Sequence, residues 1–199
     1  MRYLLLLIVT LLLSGCASMQ APTTPAPGNH KLSWQARQVQ LKNIQSWKLN
    51  GVIALRTYEA KGGTASLRWD QQNANYTLQL FGPLGAGSVI LAGTAHQVTL
   101  HTANNQTYTA TNPETLLQEK MGWRLPVSNL YYWVRGLPSP DSSPKTWFDE
   151  NNHLIKLYQD GWQIDYGNYQ AADNIDLPGK ITLLNPQIRV RMIIKQWNL

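Results

Sequence analysis

Trp47-Lys48-Leu49-Asn50-Gly51-Val52-Ile53-Ala54-Leu55-Arg56 decides the fold of this chain. Trp47, Leu49, Gly51, Ile53 and Leu55 alternate with Lys48, Asn50, Val52, Ala54 and Arg56. Successive side chains of a strand point to opposite faces, so a period of two predicts a strand with one apolar and one wet face. The same alternation recurs downstream. Ala65, Leu67 and Trp69 interleave with Thr64, Ser66, Arg68 and Asp70; Tyr76, Leu78 and Leu80 with Thr77 and Gln79; Val98, Leu100 and Thr102 with Thr99 and His101. Lys61-Gly62-Gly63, Gln71-Gln72-Asn73 and Asn104-Asn105 are turn clusters between them. Strands so spaced, with short turns, predict an antiparallel meander.

The pattern continues toward the C-terminus. Trp147 begins a strand, Asn151-Asn152 turns it, and Leu154 to Tyr158 follows. Asp160-Gly161 is a hairpin signal ahead of the alternating Trp162, Ile164 and Tyr166. Pro178-Gly179 opens Lys180 to Leu184. Asn185-Pro186 then turns into a last strand, where Ile188, Val190, Met192 and Ile194 alternate with Arg189, Arg191 and Lys195. About eleven strands are expected.

Helices interrupt the meander in few places. Leu32 to Gln45 lacks Gly and Pro, and Leu32, Ala36, Val39 and Ile44, widened by Trp34 and Leu41, suggest an apolar helical face. Asn112-Pro113-Glu114 offers a cap, a first-turn proline and an acid at the positive end of a helix, with Gly122 as its stop. Ser128 is the expected cap of a second short helix through Leu130, Trp133 and Val134, ending at Gly136; Leu137 to Pro144 is loop. The fold class is therefore mainly β (α+β): one large, curved antiparallel sheet with helices against its apolar side.

A long one-faced sheet presents more apolar area than three short helices cover. By strand parity the inward set is Trp47, Leu49, Ile53 and Leu55 on one strand and Leu67 and Trp69 on the next. Leu78, Leu80 and Leu100 follow, then Ile164, Val190 and Met192. Alternation alone leaves two outcomes open: a packed core, or an apolar cavity walled by rigid Trp and aliphatic side chains.

Composition bounds the remaining possibilities. The chain has 199 residues, 43% hydrophobic and 14% charged, with eight Trp. Aromatic and aliphatic content of this order excludes intrinsic disorder. No apolar run approaches the roughly 18 residues of a spanning helix. A single cysteine excludes an internal disulfide and a Cys-cluster metal site. Arg2 followed by the apolar run Tyr3 to Leu13 reads as a signal peptide over residues 1–15. Leu13-Ser14-Gly15-Cys16 then resembles a bacterial lipobox, which makes Cys16 the lipidated N-terminus of the mature chain. Residues 16–29, with Pro22, Pro25 and Pro27, read as a tether, and 30–199 as the folded domain. Ala17, where retention at the inner membrane would favour Asp, points by analogy to a lipid anchor on the periplasmic face of the outer membrane. Without residues 1–15 there are sixteen basic against eleven acidic residues, a formal charge of +5. The charges are spread along the chain, so nucleic acid is not an expected partner.

Nothing in the sequence assembles a catalytic or metal site. His30, His96, His101 and His153 have no paired spacing, and surface exposure is expected for all four. The acids are scattered. Gly82, Gly85 and Gly87 lack the Lys-Ser/Thr of a phosphate loop. No enzyme activity, cofactor or metal is expected. Phe81-Gly82-Pro83-Leu84-Gly85-Ala86-Gly87 is the informative turn, because Leu84 stands where a polar residue is usual. Leu84 either folds back on the sheet or projects into a membrane or a partner's apolar pocket. Full transfer of a Leu side chain is worth roughly 1.5–3 kcal/mol, enough for a transient touch.

Several segments in this order resemble the LolA/LolB-like family, in particular its outer-membrane lipoprotein receptors. They are the lipobox, Trp47-Lys48-Leu49-Asn50-Gly51-Val52-Ile53-Ala54, Leu67-Arg68-Trp69, Leu80-Phe81-Gly82-Pro83-Leu84-Gly85, and the run from Pro126 to Pro138. The resemblance covers essentially the whole mature chain, although Val52 stands where the family often has Arg. It implies an open half-barrel with helices as a lid over an apolar cavity. It also implies that lipoproteins are taken from the periplasmic carrier LolA by their acyl chains and placed in the outer membrane without nucleotide hydrolysis. The family's membrane-inserting loop maps to Pro83, Leu84 and Gly85. The expected partners are the carrier, lipoprotein cargo and outer-membrane lipid, with the chain a monomer. The rival reading is a passive structural lipoprotein with a packed core and no ligand; a lipid or glycan hydrolase would need a converging site that the sequence does not display.

Overall fold

The computed structural model describes residues 32–57, 62–82 and 87–199. Helix α1 (Trp34–Asn43) leads into the strand read first, β1 (Ser46–Thr57). Then come β2 (Gly63–Gln72), β3 (Asn75–Phe81), β4 (Ser88–Gly93), β5 (Val98–His101) and β6 (Thr107–Ala110). Helices α2 (Pro113–Met121) and α3 (Val127–Trp133) interrupt the strands. The second half holds β7 (Lys145–Phe148), β8 (Leu154–Gln159), β9 (Trp162–Gly167), β10 (Gln170–Ala172), β11 (Ile175–Leu177), β12 (Lys180–Leu184) and β13 (Ile188–Asn198).

Eleven strands form one antiparallel sheet in the order β6-β5-β4-β3-β2-β1-β13-β12-β9-β8-β7; β10 and β11 make a separate hairpin. The β1–β13 pairing joins the two halves of the chain. The edges β6 and β7 do not pair with each other, so the sheet is not closed into a barrel. In-register neighbours Leu49–Trp69, Ile53–Met192 and Leu55–Val190 stack apolar residues on one face. A register shift at Asn50/Gly51 bends β1 against β13. Gly51 is needed there: a Cβ at this position would lie 2.2 Å from the Ile193 carbonyl oxygen. The β8–β9 hairpin turns on Asp160 (φ 52°) and Gly161 (φ 76°), the doubly left-handed turn that an Asp-Gly pair favours.

Helix α1 is shorter than the sequence suggested. The Ser33 side chain accepts from the Ala36 N–H, so the helix starts at Trp34. Its buried residues are Arg37 and Leu41, while Val39 is 60% exposed. The expected apolar face is therefore wrong at Val39, because a buried ion pair draws Arg37 inward. Helix α2 follows the expected signals: Asn112 Oδ1 accepts from the Thr115 N–H, Pro113 opens the first turn and Gly122 closes the helix at φ 69°. The expected Ser128 cap is not formed. Helix α3 starts two residues earlier, after Pro126, and the Ser128 N–H donates instead to Glu114 Oε1 of α2 at 2.8 Å. One helix thus supplies the cap of the next.

Candidate functional site

The inner face of the sheet gathers the inward set in one place. Trp47, Leu49, Ile53, Leu67, Trp69, Leu80, Leu100, Ile164, Val190 and Met192 are buried, and Leu55 and Leu78 are partly buried. Trp47 lies between Trp69 and Trp197, with ring centroids at 5.0 and 5.4 Å. The helices lie against this face. Leu116 and Leu117 of α2 and Val127, Leu130 and Trp133 of α3 belong to the same apolar cluster.

Two polar anchors fix α3. Gln159 of β8 accepts from Trp133 Nε1 and from the Ser139 N–H, each at 2.9 Å, and donates to the carbonyls of Ser139 and Ser142. This holds the helix and the loop after it to the sheet. Just past α3, Arg135 is 2% exposed and donates to the Leu41 carbonyl at 3.0 Å, the Ile44 carbonyl at 2.5 Å and the Tyr131 carbonyl at 3.1 Å. Its guanidinium also lies 4.2 Å from the Tyr131 ring centre. Burial pulls the Arg135 pKa below the usual guanidinium value. The end of α1 is thereby tied to α3.

Between these elements and the β2–β3 turn lies an open cleft of about 600 Å³, within the range of about 300–1,000 Å³ usual for small-ligand sites. Trp69, Tyr76, Val127, Tyr131 and Tyr132 supply its apolar wall, and Lys42 and Arg135 its cations. Of the twelve inward residues only Trp69 lines it; the others belong to the apolar core cluster or pack against it. Tyr76 lies across the strand pair because its partner is Gly93, where any Cβ would strike the ring. Burial first, and Glu114 second, push the Tyr76 phenol up to about 12.

A polar corner that the sequence did not disclose lies at the other side of α1. His153 is 4% exposed, not at the surface as expected. Its Nδ1 is 2.9 Å from Asp149 Oδ2 and its Nε2 3.0 Å from Asp176 Oδ2, and its ring stacks on Tyr169 at 4.2 Å. Arg37 Nη2 stands 3.9 Å from the same Asp176 oxygen. Arg37 comes from more than a hundred positions before the other four, which lie between 149 and 176, so no local spacing joins the whole cluster. His96 and His101 are exposed, and His30 lies outside the described residues.

Cys16, the tether, and Pro83, Leu84 and Gly85 also lie outside the described residues. The ends of that turn are described: the Gly82 N–H donates to the Gly87 carbonyl at 3.1 Å, continuing the β3–β4 ladder to the base of the loop. No helix among the described residues is long and apolar enough to cross a membrane.

The unclosed antiparallel sheet with helices on its inner face is a fold that this chain shares with solved structures of low sequence identity. A LolA superfamily protein from Nitrosomonas europaea aligns with a TM-score of 0.52 over 84% of this chain and 94% of its own, at 9% identity. A DUF1329 family protein from Desulfovibrio piger aligns at 0.54 over 80% and 89%, at 7% identity. Sequence narrows the class to one family. The profile of the family described as "Outer membrane lipoprotein LolB" matches residues 45–197. An outer-membrane lipoprotein LolB from Pseudomonas fluorescens is 38% identical over 99% of this chain and 96% of its own length. One from Pseudomonas aeruginosa is 38% identical over 94% and 90%. The chain belongs to the LolB family of outer-membrane lipoproteins.

Proposed function

We propose that this chain is the outer-membrane receptor that accepts lipoproteins from a LolA-type periplasmic carrier, shelters their acyl chains and releases them into the outer membrane. The observation that carries the reading is the unclosed sheet, whose apolar inner face is covered by three helices of ten, nine and seven residues. Acyl chains enter at the cleft beside Trp69, where aromatic walls meet the inner face, and extend beneath α2 and α3 along Leu67, Leu80 and Leu100. The helices are held by a few side-chain anchors, and the sheet has two free edges, so inner-face area can be exposed without breaking the eleven-stranded ladder.

The driving force is burial. Each methylene removed from water contributes about 0.8 kcal/mol. A cleft open to solvent covers an acyl chain less fully than a bilayer does, so transfer from the protein to the membrane runs downhill without nucleotide. Selectivity for the lipid end of the cargo follows, because only the acyl chains gain from the apolar wall. The reading requires no catalytic step. Cys16 is the lipid-bearing residue, and Leu84, on the Pro83-Leu84-Gly85 turn, is the residue that enters the bilayer during release.

A fluorescent fatty-acyl probe tests binding, and transfer of a lipoprotein from the carrier to outer-membrane vesicles tests release. The chain binds the probe saturably. Leu84→Glu keeps probe binding and fails to deliver the lipoprotein. Probe binding that never saturates would return the chain to the reading of a packed structural lipoprotein, and normal delivery by Leu84→Glu would remove the role given to that residue.

A further inference from the structure

The outward face of the sheet carries charge that the acyl site does not use. At one level across the strands, Arg56 of β1 stands directly opposite Arg189 of β13, and the row continues through Leu184 and Gln163 to Tyr158 and Lys145. At the next level, Arg191 is followed by Thr182, Asp165, Lys156 and Trp147. Five cations therefore face outward on two adjacent rows with one carboxylate, Asp165, which is already bonded by Gln163 and lies 3.8 Å from Lys156. Among the described residues, no ion pair involves Arg56, Arg189 or Arg191.

Two features go beyond simple solubility. Like charges directly opposite on neighbouring strands destabilise a sheet, yet Arg56 and Arg189 are in register. At the edge of the same face, Trp147 and Tyr158 are 44% and 39% exposed and meet edge to face at 5.5 Å, with Lys145 and Lys156 as their strand neighbours. Exposed Trp and Tyr with flanking Lys and Arg are the side chains that settle at a membrane–water interface. The rows also lie at the end of the sheet where the β3–β4 turn leaves: Phe81 pairs with Ser66, and Ser66 with Val52, two residues from Ala54.

We propose that this outward face rests on the anionic phospholipid surface of the membrane that anchors the chain. Phosphates neutralise the opposed arginines, Trp147 and Tyr158 sit at headgroup depth, and the body is held with its β3–β4 end against the bilayer. This rests on the lipid-anchored receptor reading for the presence of the membrane, but not on where acyl chains bind. The tether leaves from the opposite end, where Asn152 Nδ2 donates to the Leu32 carbonyl. Its fifteen or so residues can span roughly 50 Å when extended, more than the roughly 33 Å of a ten-residue strand.

The native cysteine is occupied by lipid in the anchored chain, so Thr64→Cys, at an exposed position beside Ala54, gives a unique site for a spin label. The lipidated chain is placed in phosphatidylethanolamine vesicles with or without phosphatidylglycerol, and collisions of the label with a nickel-chelating lipid are measured. Contact is expected to rise with phosphatidylglycerol and to fall in high salt. Each charge near the surface is worth about fivefold, so Arg56→Gln, Arg189→Gln and Arg191→Gln together should cut the ratio of docked to undocked chain about a hundredfold. Fatty-acyl probe binding, read on the same samples, should not change in the triple variant. Equal contact in both vesicles, or no effect of salt, would overturn the proposal. So would contact that appears only when the carrier is added, which would assign the face to an acidic protein. The vesicle and salt arms retain all five cations, so they decide the matter even if the triple variant folds poorly. Loss of probe binding with lipid-dependent contact intact would refute the acyl reading and leave this one standing.

Discussion

Replacing Arg135 with Met should loosen the junction between α1 and α3. The guanidinium is buried and donates to the carbonyls of Leu41 and Ile44, more than ninety residues away in sequence. A hydrogen bond from a charged donor contributes about 1.5–3 kcal/mol, so the two contacts are worth roughly 3–6 kcal/mol gross. Two effects reduce that figure. The guanidinium is itself desolvated, being 2% exposed, and Met removes that penalty. Arg135 also lines the open cleft, so water can reach the abandoned carbonyls. The net loss should be about 2–3 kcal/mol. Urea unfolding followed by Trp fluorescence reads it directly, since Trp47, Trp69 and Trp133 are all buried. Arg135→Lys should recover only part of the loss, because one ammonium lacks the planar fork that reaches both acceptors. A Met variant within about 0.5 kcal/mol of the parent chain would show that Arg135 does not hold α1 in place.

Three further outcomes follow from local geometry. Gly51→Ala forces a Cβ against the Ile193 carbonyl at the β1–β13 junction, and should cost about 3 kcal/mol or more in thermal or urea unfolding. Asn112→Ala removes the α2 cap and should cost about 1 kcal/mol in the same assay, with Asn112→Ser close to neutral. Burial pushes the Asp149 carboxyl up, but the N–H groups of His153 and Asn151 and the His153 ring outweigh it and hold the carboxyl below its usual range. Its folded pKa is thus lower than its unfolded one. The stability it supplies is present above about pH 4 and is lost as pH falls through the folded value. Melting temperature against pH should therefore drop less steeply in acid for Asp149→Asn.

Period-two alternation was enough to identify the sheet and its inner face. Leu49, Leu67, Leu100, Ile164 and Met192 are inward in the structure for the reason visible in the sequence, because each strand keeps strict parity wherever no bulge intervenes. Asn112-Pro113 and Asp160-Gly161 were legible because capping and tight turns depend on two or three adjacent residues. The failures share a different cause. Val39 looked like a core residue and is exposed, and Ser128 looked like a cap and is not; in both cases a distant group, Asp176 or Glu114, decides the local arrangement. The His153 corner, the Gln159 anchor and the cleft beside Trp69 are built from residues far apart in sequence, which no spacing rule can join. The expected strand count agrees with the main sheet, while the β10–β11 hairpin is too short to announce itself by alternation.

The central claim is that acyl chains lie against the inner face of the open sheet. A lipoprotein carrying a photoactivatable group at the end of its acyl chain, delivered by the carrier and irradiated on the receptor, tests that claim most directly. Adducts mapped by mass spectrometry should fall on Trp69, Leu67, Leu80 or Leu100 and on the α3 side chains above them. Adducts confined to outward positions such as Arg191 or Ser66, or to none of the inner strands, would contradict it.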